Sequence, residues 1–311
     1  MSLLESLIPL NLESEEAKFR QDQTYNPQFV YSRVFTPKLL TRNGLPRADY
    51  LALAEKYLQI VAPTLPKQAK IKALAPRRVS QITRDLFRQL GLNPPLIHWQ
   101  KMLSVAKRKN ETLIFAKNLP ISESMLKGVL AHEVQTHLLR SHNQALQTLP
   151  RSLPSTYSRT EEGLASLNSK FVRQNFDFRT SCCRYLACNW SQKESFAQVF
   201  ARLQTQMQFD FDRAWYFTLR AKRGLPDTSQ PGGFTKDIVY WEGTLQVLDW
   251  LLEPENKLAD LYLGKISLAQ VPEYQQAARR EDLIYPTFIA QQADYLDFLR
   301  SCKQQLAPLQ P

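Results

Sequence analysis

The sequence predicts an α+β fold that is predominantly helical and contains a small β-sheet. Through most of the 311 residues, apolar side chains recur at the spacing of amphipathic helices. One stretch, Leu96–Ala116, instead holds short segments rich in β-branched and aromatic residues. Length and composition are those of an ordinary globular chain. We expect residues 1–24 to form an N-terminal arm and residues 25–311 to form a single domain.

The first elements are separated by proline-bearing connections. The stretch Tyr25–Leu40 begins with extended aromatic residues, which we expect to pack against the core. Apolar periodicity predicts helices at Ala48–Ala62 and Val79–Leu90. The prolines around Pro63–Pro66 mark the connection between these two helices.

A β-hairpin is predicted within Leu96–Ala116. Its turn is Arg108–Glu111, a polar stretch between two β-capable segments. The second of these segments, Thr112–Ala116, is therefore a strand that comes shortly before the central helix of the chain.

This central helix is predicted over Met125–Asn143, with Ser122 or Ser124 as a candidate N-cap. It contains His132, Glu133 and His137, the arrangement HExxxH. Its apolar positions recur at helical spacing: Met125, Leu126, Val129, Leu130, Val134, Leu138 and Leu139.

The spacing of the two histidines predicts a local distortion of this helix. In the familiar zinc motif HExxH, the histidines are four residues apart and share a helical face. His132 and His137 are five residues apart, which on a regular helix separates them by about 140°. A π-type turn, widened by one residue, would return both to one face. We therefore expect a bulge in which Val134–Thr136 carry the extra residue.

Imidazole nitrogens are good ligands for zinc, and a neighbouring carboxylate can act as a general base. Three of the four histidines of the chain lie within the eleven residues His132–His142, and the fourth is His98. The alternative is a pair of histidines that only pack the helix.

A third ligand is needed, because catalytic zinc sites usually hold three protein ligands and leave one position for water. The stretch Thr160-Glu161-Glu162-Gly163 opens another apolar-periodic segment, with Thr160 as a candidate N-cap. Both acids would then suit the helix dipole in the first turn, and that role alone would explain them.

These two motifs together resemble the family of proteins named for a QEGLA motif, which includes the tubulin tyrosine carboxypeptidases. The resemblance rests on HEVQTHLLRSHN followed by TEEGLASL, on NPQFVY at Asn26–Tyr31, and on RAKRGLPDTSQPGGFTKDIVYWEG at Arg220–Gly243. It extends over most of the chain, from Tyr25 to Leu252.

The resemblance implies a zincin-like metallopeptidase with a small sheet beside the HExxxH helix. It implies Zn²⁺ as cofactor, His132, His137 and Glu162 as metal ligands, and Glu133 as base. Glu162 is preferred over Glu161 because the acid before the glycine defines the motif, whereas the family permits glutamine at the preceding position. Glu161 would cap the helix or orient a ligand histidine.

By analogy with such peptidases, the strand Thr112–Ala116 would lie at the sheet edge and pair with an extended peptide substrate. A carboxypeptidase must also hold a free C-terminal carboxylate, usually with an arginine or lysine, and must stabilise an oxyanion. The candidates for these substrate-binding roles are Arg140, Lys222, Arg223, Lys236 and Tyr240. The alternative for the last four is a salt-bridged surface loop.

The net charge of +11 is spread along the chain and accompanies no nucleic-acid-binding motif. An acidic peptide or protein C-terminus explains the same surplus through electrostatic steering. We expect no membrane span and no secretory signal, since no apolar run is long enough. The four cysteines form no disulfide framework, which fits the cytoplasm.

The prediction is thus a zinc-dependent carboxypeptidase that removes a C-terminal residue, tyrosine being a candidate. The alternative is a non-catalytic, zinc-stabilised regulatory or scaffold protein that binds an acidic partner. A metal closed by four protein ligands, with His98 or His142 as the fourth, would favour that alternative.

Overall fold

The structure is a computed structural model that describes residues 3–61, 72–102, 105–109, 112–148 and 153–307. Helices form most of this part of the chain, and a small sheet accompanies them, which confirms the predicted α+β class. In chain order the helices are α1 (Leu3–Ser6), α2 (Leu12–Gln21), α3 (Pro37–Leu40), α4 (Ala48–Val61), α5 (Pro76–Gln89), α6 (Glu123–His132), α7 (Leu139–Leu146), α8 (Pro154–Arg173), α9 (Arg179–Ser191), α10 (Phe196–Met207), α11 (Phe211–Lys222), α12 (Ile238–Leu252), α13 (Val271–Ala277) and α14 (Gln292–Leu306). The strands are β1 (Leu96–Gln100), β2 (Ala106–Lys109) and β3 (Thr112–Ala116).

The described residues divide into two compact units. Unit 1 contains residues 3–61 and 177–241, and unit 2 contains residues 72–176 and 242–307. That residues 25–311 fold as a single domain stays a prediction. In the described ranges, no helix is both long enough and apolar enough to cross a lipid bilayer.

Unit 1 is built around an aromatic cluster. Phe19 of α2 is fully buried, with its ring centroid 4.8 Å from that of Phe200 and 5.3 Å from that of Trp215. Phe196 also contacts Phe19, at a ring separation of 5.1 Å. Residues 3–24, predicted as an arm, therefore contribute a central side chain to this core.

The sheet lies in unit 2 and has the strand order β1-β3-β2. Strands β2 and β3 are antiparallel, as the hairpin prediction requires, and the turn residues Asn110-Glu111 lie outside the described part of the chain. Strand β1 pairs in parallel with the other side of β3. The prediction that Thr112–Ala116 lies at the sheet edge is therefore wrong. Its side chains from Leu113 to Ala116 are buried, as suits a central strand.

The helix predictions are confirmed for α4 and α5 within a few residues at each end. The connection at Pro63–Pro66 lies outside the described residues. Helix α8 begins at Pro154, six residues before the predicted N-cap Thr160. Proline suits the first turn of a helix because its missing N–H has no partner there. Thr160 instead accepts a hydrogen bond at Oγ1 from the backbone N–H of Leu268, at 3.1 Å.

Candidate metal centre

The site begins with the helix that carries HExxxH. Ser122 caps it, and its side chain accepts a hydrogen bond from the N–H of Met125, as predicted. Between α6 and α7 the helix continues through a π turn, Glu133–Leu138. The N–H of Leu139 donates to the carbonyl of Val134, five residues back. The predicted bulge over Val134–Thr136 is therefore confirmed.

The π turn brings the two histidines together. The ring centroids of His132 and His137 are 4.8 Å apart, with an angle of 77° between the ring planes. On a straight helix the same two side chains would point about 140° apart. The extra residue thus compensates for the unusual spacing of the motif.

Helix α8 packs against α6 and delivers the carboxylate. A Cβ atom added to Gly163 would lie 2.1 Å from the carbonyl oxygen of Gly243 in α12. No other residue fits this crossing without a backbone shift, which explains why a glycine follows Glu162. The close approach of α8 and α12 sets the position of Glu162 in unit 2.

The three side chains converge. Oε2 of Glu162 lies 3.5 Å from Nε2 of His132 and 3.6 Å from Nε2 of His137. The three candidate ligand atoms all lie within 4.8 Å of one another. Two ligands on a tetrahedral ion with bonds of about 2.1 Å are expected to be about 3.4 Å apart. Two imidazoles and one carboxylate at these separations therefore fit a divalent metal ion. Neither His98 nor His142 belongs to this group.

Glu161 holds His137 from the other side. Its Oε1 lies 3.0 Å from Nδ1 of His137 and accepts a hydrogen bond of 2.7 Å from Nζ of Lys265. Such an acceptor fixes the tautomer and the orientation of a ligand imidazole, leaving Nε2 for the metal. This is the orienting role predicted for Glu161, whereas the helix-capping role is wrong because α8 starts earlier.

The carboxylates favour positive charge at this position. Burial lowers the pKa of His137, but the charges of Glu162 and Glu161 outweigh it and raise the pKa to about 10. Burial also raises the pKa of Glu161, yet the contacts with His137 and Lys265 leave it well below its usual range. The same charge distribution that favours a proton on His137 favours a metal cation between the ligands.

Glu133 is the first residue of the π turn and is partly exposed. Water can therefore reach its side chain from the solvent. Its assignment as the base stays a prediction.

The structure contradicts the predicted contact between Arg140 and the substrate carboxylate. Its side chain is fully buried, and the guanidinium donates hydrogen bonds from Nε to the carbonyl of Leu261 and from Nη2 to that of Ile266, at 2.8 and 2.7 Å. Burial lowers its pKa. The proposed substrate contact is replaced by a structural one, in which Arg140 anchors the segment Leu258–Ile266.

The structure also contradicts the predicted contact between Lys222 and substrate. It is fully buried in unit 1, and its Nζ donates to the carbonyls of Gln230 and Ser191, at 2.6 and 3.3 Å. Burial lowers its pKa to about 8. The ammonium group holds the loop that contains Gln230 and is not accessible to a substrate.

Arg223, Lys236 and Tyr240 lie in a cationic cluster of unit 1 whose acidic member is Asp237. This carboxylate accepts two hydrogen bonds from Arg220, at 2.7 and 2.5 Å, and lies 3.9 Å from Nη2 of Arg223. Nζ of Lys236 lies 5.8 Å from the ring centroid of Tyr240. Substrate binding by these residues stays a prediction.

Several residues of the centre were not predicted. Lys265 donates a hydrogen bond to Glu161, and Asn168 and Tyr262 donate hydrogen bonds to the π turn. No local pattern marks them, because their partners are 32 to 127 residues away in the chain. Only the three-dimensional arrangement brings them to the site.

Comparisons of the sequence with known proteins find related carboxypeptidases. The model of the family described as microtubule-associated tyrosine carboxypeptidase matches residues 41–308. A mouse protein named "Putative tyrosine carboxypeptidase MATCAP2" is 28% identical over 318 residues, covering 96% of this chain and 61% of the mouse protein. The human protein named "Microtubule-associated tyrosine carboxypeptidase 1" is 29% identical over 312 residues, covering 94% of this chain and 66% of the human protein.

The rat protein of that name is 30% identical over 293 residues, covering 87% of this chain and 61% of its own length. The chain thus spans about two thirds or less of the length of these curated relatives. The family match itself covers most of the chain and includes the π turn and all of α8. The chain therefore belongs to the microtubule-associated tyrosine carboxypeptidase family.

Proposed function

We propose that the protein is a zinc-dependent carboxypeptidase that removes the C-terminal residue of a peptide or protein. The observation that carries this proposal is the convergence of His132, His137 and Glu162 from the π turn and α8. Their donor set of two imidazoles and one carboxylate is the type found in catalytic zinc sites of peptidases. Family membership supports peptidase chemistry for this set.

The geometry supports the following roles. His132, His137 and Glu162 would hold Zn²⁺ on one side. When bound, zinc lowers the pKa of a water molecule and polarises a carbonyl group. Glu161 keeps the Nδ1 proton of His137 directed away from the metal position, and Lys265 keeps the Glu161 carboxylate in place.

Glu133 would move the proton. Its carboxylate accepts a proton from the attacking water and later delivers it to the nitrogen of the leaving residue. A position next to the first ligand, on the rim of a partly exposed π turn, suits this transfer. A zincin-like architecture is proposed on the same grounds.

The substrate proposal rests on charge and on the relatives. Relatives of this chain are named as tyrosine carboxypeptidases, so a C-terminal tyrosine is the first residue to test. The net charge of +11 favours an acidic chain end. Arg223, Lys236 and Tyr240 are proposed to bind the terminal carboxylate, because arginine and lysine are the usual partners of a carboxylate and a tyrosine hydroxyl can donate to it.

The site favours the hydrolase over the non-catalytic alternative. A structural zinc site is usually closed by four protein ligands. In the described ranges, the converging group has three protein ligands, and neither His98 nor His142 is one of them. Three protein ligands leave a coordination position for water and substrate.

The test is cleavage of a peptide library that varies in its C-terminal residue by the zinc-loaded protein. We expect release of the terminal residue, with preference for tyrosine and for acidic residues before it. A chelator must abolish the cleavage and added Zn²⁺ must restore it. Cleavage that persists in the chelated protein, or no cleavage of any member, would rule out the proposal.

A further inference from the structure

The π turn creates a backbone problem that the surrounding side chains solve. In a regular helix the carbonyl of Gln135 would accept the N–H of Leu139. That N–H instead donates to the carbonyls of Val134 and Thr136. A buried carbonyl that loses its helical donor is costly unless another group supplies a hydrogen bond.

Two hydroxyl groups take over in the turn. The hydroxyl of Tyr262 donates to the carbonyl of Gln135 at 2.8 Å. The hydroxyl of Thr136 donates to the carbonyl of Ala131, five residues back, also at 2.8 Å. Both side chains are fully buried. The proton of Tyr262 goes to a carbonyl of the π turn, and that of Thr136 goes to a carbonyl in the last turn of α6.

A single amide organises these two hydroxyls. Nδ2 of Asn168 donates to the hydroxyl of Thr136 at 2.8 Å and to the hydroxyl of Tyr262 at 2.9 Å. Since both hydroxyls spend their own protons on carbonyls, they can only accept from the amide. Oδ1 of Asn168 accepts a hydrogen bond from the hydroxyl of Tyr295 at 2.8 Å, on the side of the amide away from the two π-turn contacts.

This network connects the two elements that carry the ligands. Asn168 lies on α8 less than two turns after Glu162, and Thr136 lies one residue before His137. Tyr262 comes from the segment that Arg140 anchors and that also carries Lys265. The hydrogen bonds therefore set the position of the π turn along and around α8.

We propose that Asn168, Thr136 and Tyr262 are positioning residues that hold the π turn so that His132 and His137 share one metal ion with Glu162. The inference rests on the proposed metal centre. Without the Tyr262 and Thr136 hydrogen bonds, the helix would gain by returning to α-helical pairing, and the imidazoles would turn apart. These residues act on the metal through the helix backbone, because their hydrogen bonds go to backbone carbonyls and to one another.

The test compares two buried tyrosines that both hydrogen-bond to Asn168, of which only Tyr262 also donates to the π turn. Tyr262→Phe removes the donor to the Gln135 carbonyl, whereas Tyr295→Phe removes a donor to Asn168 and leaves the π-turn hydrogen bonds in place. The measurements are Zn²⁺ affinity by competition with a chelator, the absorption spectrum of the Co²⁺-substituted protein, and thermal unfolding of the metal-free protein.

We expect Tyr262→Phe to lose about 10- to 100-fold in Zn²⁺ affinity and to alter the Co²⁺ spectrum, as for partners of metal ligands. The Zn²⁺ affinity of Tyr295→Phe should stay within about threefold of the wild-type value, although this variant loses about as much thermal stability as Tyr262→Phe. Should Tyr262→Phe fail to fold, Thr136→Val and Thr136→Ser replace it, because only serine keeps the hydroxyl. Serine should retain the affinity and valine should lose at least about tenfold.

Three results would overturn the inference. One is wild-type Zn²⁺ affinity in Tyr262→Phe or Thr136→Val. Another is an equal loss of affinity in both tyrosine variants in proportion to their loss of stability, which would indicate packing alone. A wild-type protein that takes up no Zn²⁺ would remove the metal centre and this inference together, whereas the first two results leave the metal centre standing.

Discussion

Glu161 and Glu162 are neighbours in the chain, yet their carboxylates have different partners. Glu162 faces Nε2 of both histidines, and Glu161 accepts from Nδ1 of His137 and from Lys265. Successive residues on a helix point about 100° apart, so one can serve as ligand while the other orients a ligand.

The base assignment is tested by Glu133→Gln. Glutamine has nearly the same shape but cannot accept the proton of the attacking water. We expect kcat to fall about 10²- to 10⁴-fold, with Zn²⁺ content and unfolding temperature unchanged. Activity of Glu133→Gln near the wild-type value would remove Glu133 from the mechanism.

The role of Glu161 is tested with two substitutions. Glu161→Leu deletes the acceptor for Nδ1 of His137, so we expect Zn²⁺ affinity to fall about 10- to 100-fold. Glu161→Gln keeps an oxygen that can accept this hydrogen bond and should lose much less. Equal affinities for the two variants, measured by chelator competition, would show that the hydrogen bond does not tune the metal.

At the scale of the element, the helix crossing at Gly163 is tested by Gly163→Ala. The added methyl group would lie 2.1 Å from a backbone carbonyl, so α8 or α12 must shift. We expect a loss of about 1–3 kcal/mol in the free energy of unfolding, together with weaker Zn²⁺ binding through displacement of Glu162.

Gly128→Ala is the matched control for this prediction. A Cβ atom at Gly128 would meet the side chains of Arg173 and Ser169, at 2.4 and 2.8 Å, and the former is flexible enough to move. Alanine also has the better helix propensity. We expect a smaller loss of stability and of Zn²⁺ affinity for Gly128→Ala than for Gly163→Ala, because its Cβ meets side chains and not backbone. A comparable loss in both glycine variants, measured by chemical unfolding, would contradict the crossing argument.

The elements differ in how far the sequence predicts them. The π turn follows from the five-residue spacing of His132 and His137, a local property that a helical wheel makes visible. The predicted start of α8 at Thr160 is wrong. The Thr-Glu-Glu pattern resembles the first turn of a helix, but the helix already begins at Pro154. The central position of β3 depends on its pairing with β1, which sequence periodicity does not report.

The network behind the π turn was beyond prediction for a similar reason. The contact between Tyr262 and Gln135 joins residues 127 positions apart, and that between Asn168 and Thr136 joins residues 32 apart. Arg140 and Lys222 were predicted to bind substrate because cationic residues near a site are usual carboxylate ligands. Burial, which the chemistry of a single residue does not reveal, directs both to backbone carbonyls instead.

At the scale of the whole molecule, stability should depend on pH through Asp237. Burial raises the pKa of this carboxyl, but Arg220, Arg184 and Arg223 outweigh it and hold the pKa below its usual value of 3.8. A carboxyl with a lowered folded-state pKa stabilises the fold above its unfolded pKa. This contribution is lost as the pH falls below about 4, because the unfolded chain then binds the proton first.

Asp237→Asn tests this linkage. It leaves the buried arginines without their carboxylate, so we expect the free energy of unfolding to fall by about 3–5 kcal/mol at pH 7. The difference from the wild type should shrink as the pH falls from 5 towards 2. A difference that stays constant over this range, measured by urea unfolding, would show that Asp237 does not contribute through its charge.

The most direct measurement of the central claim is the Zn²⁺ stoichiometry and affinity of the purified protein beside those of His132→Ala, His137→Ala and Glu162→Ala. We predict one tightly bound Zn²⁺ per wild-type chain and a loss of at least about 100-fold in affinity for each variant, with the fold retained. Wild-type affinity in Glu162→Ala, or a wild-type chain that binds no Zn²⁺, would contradict the account.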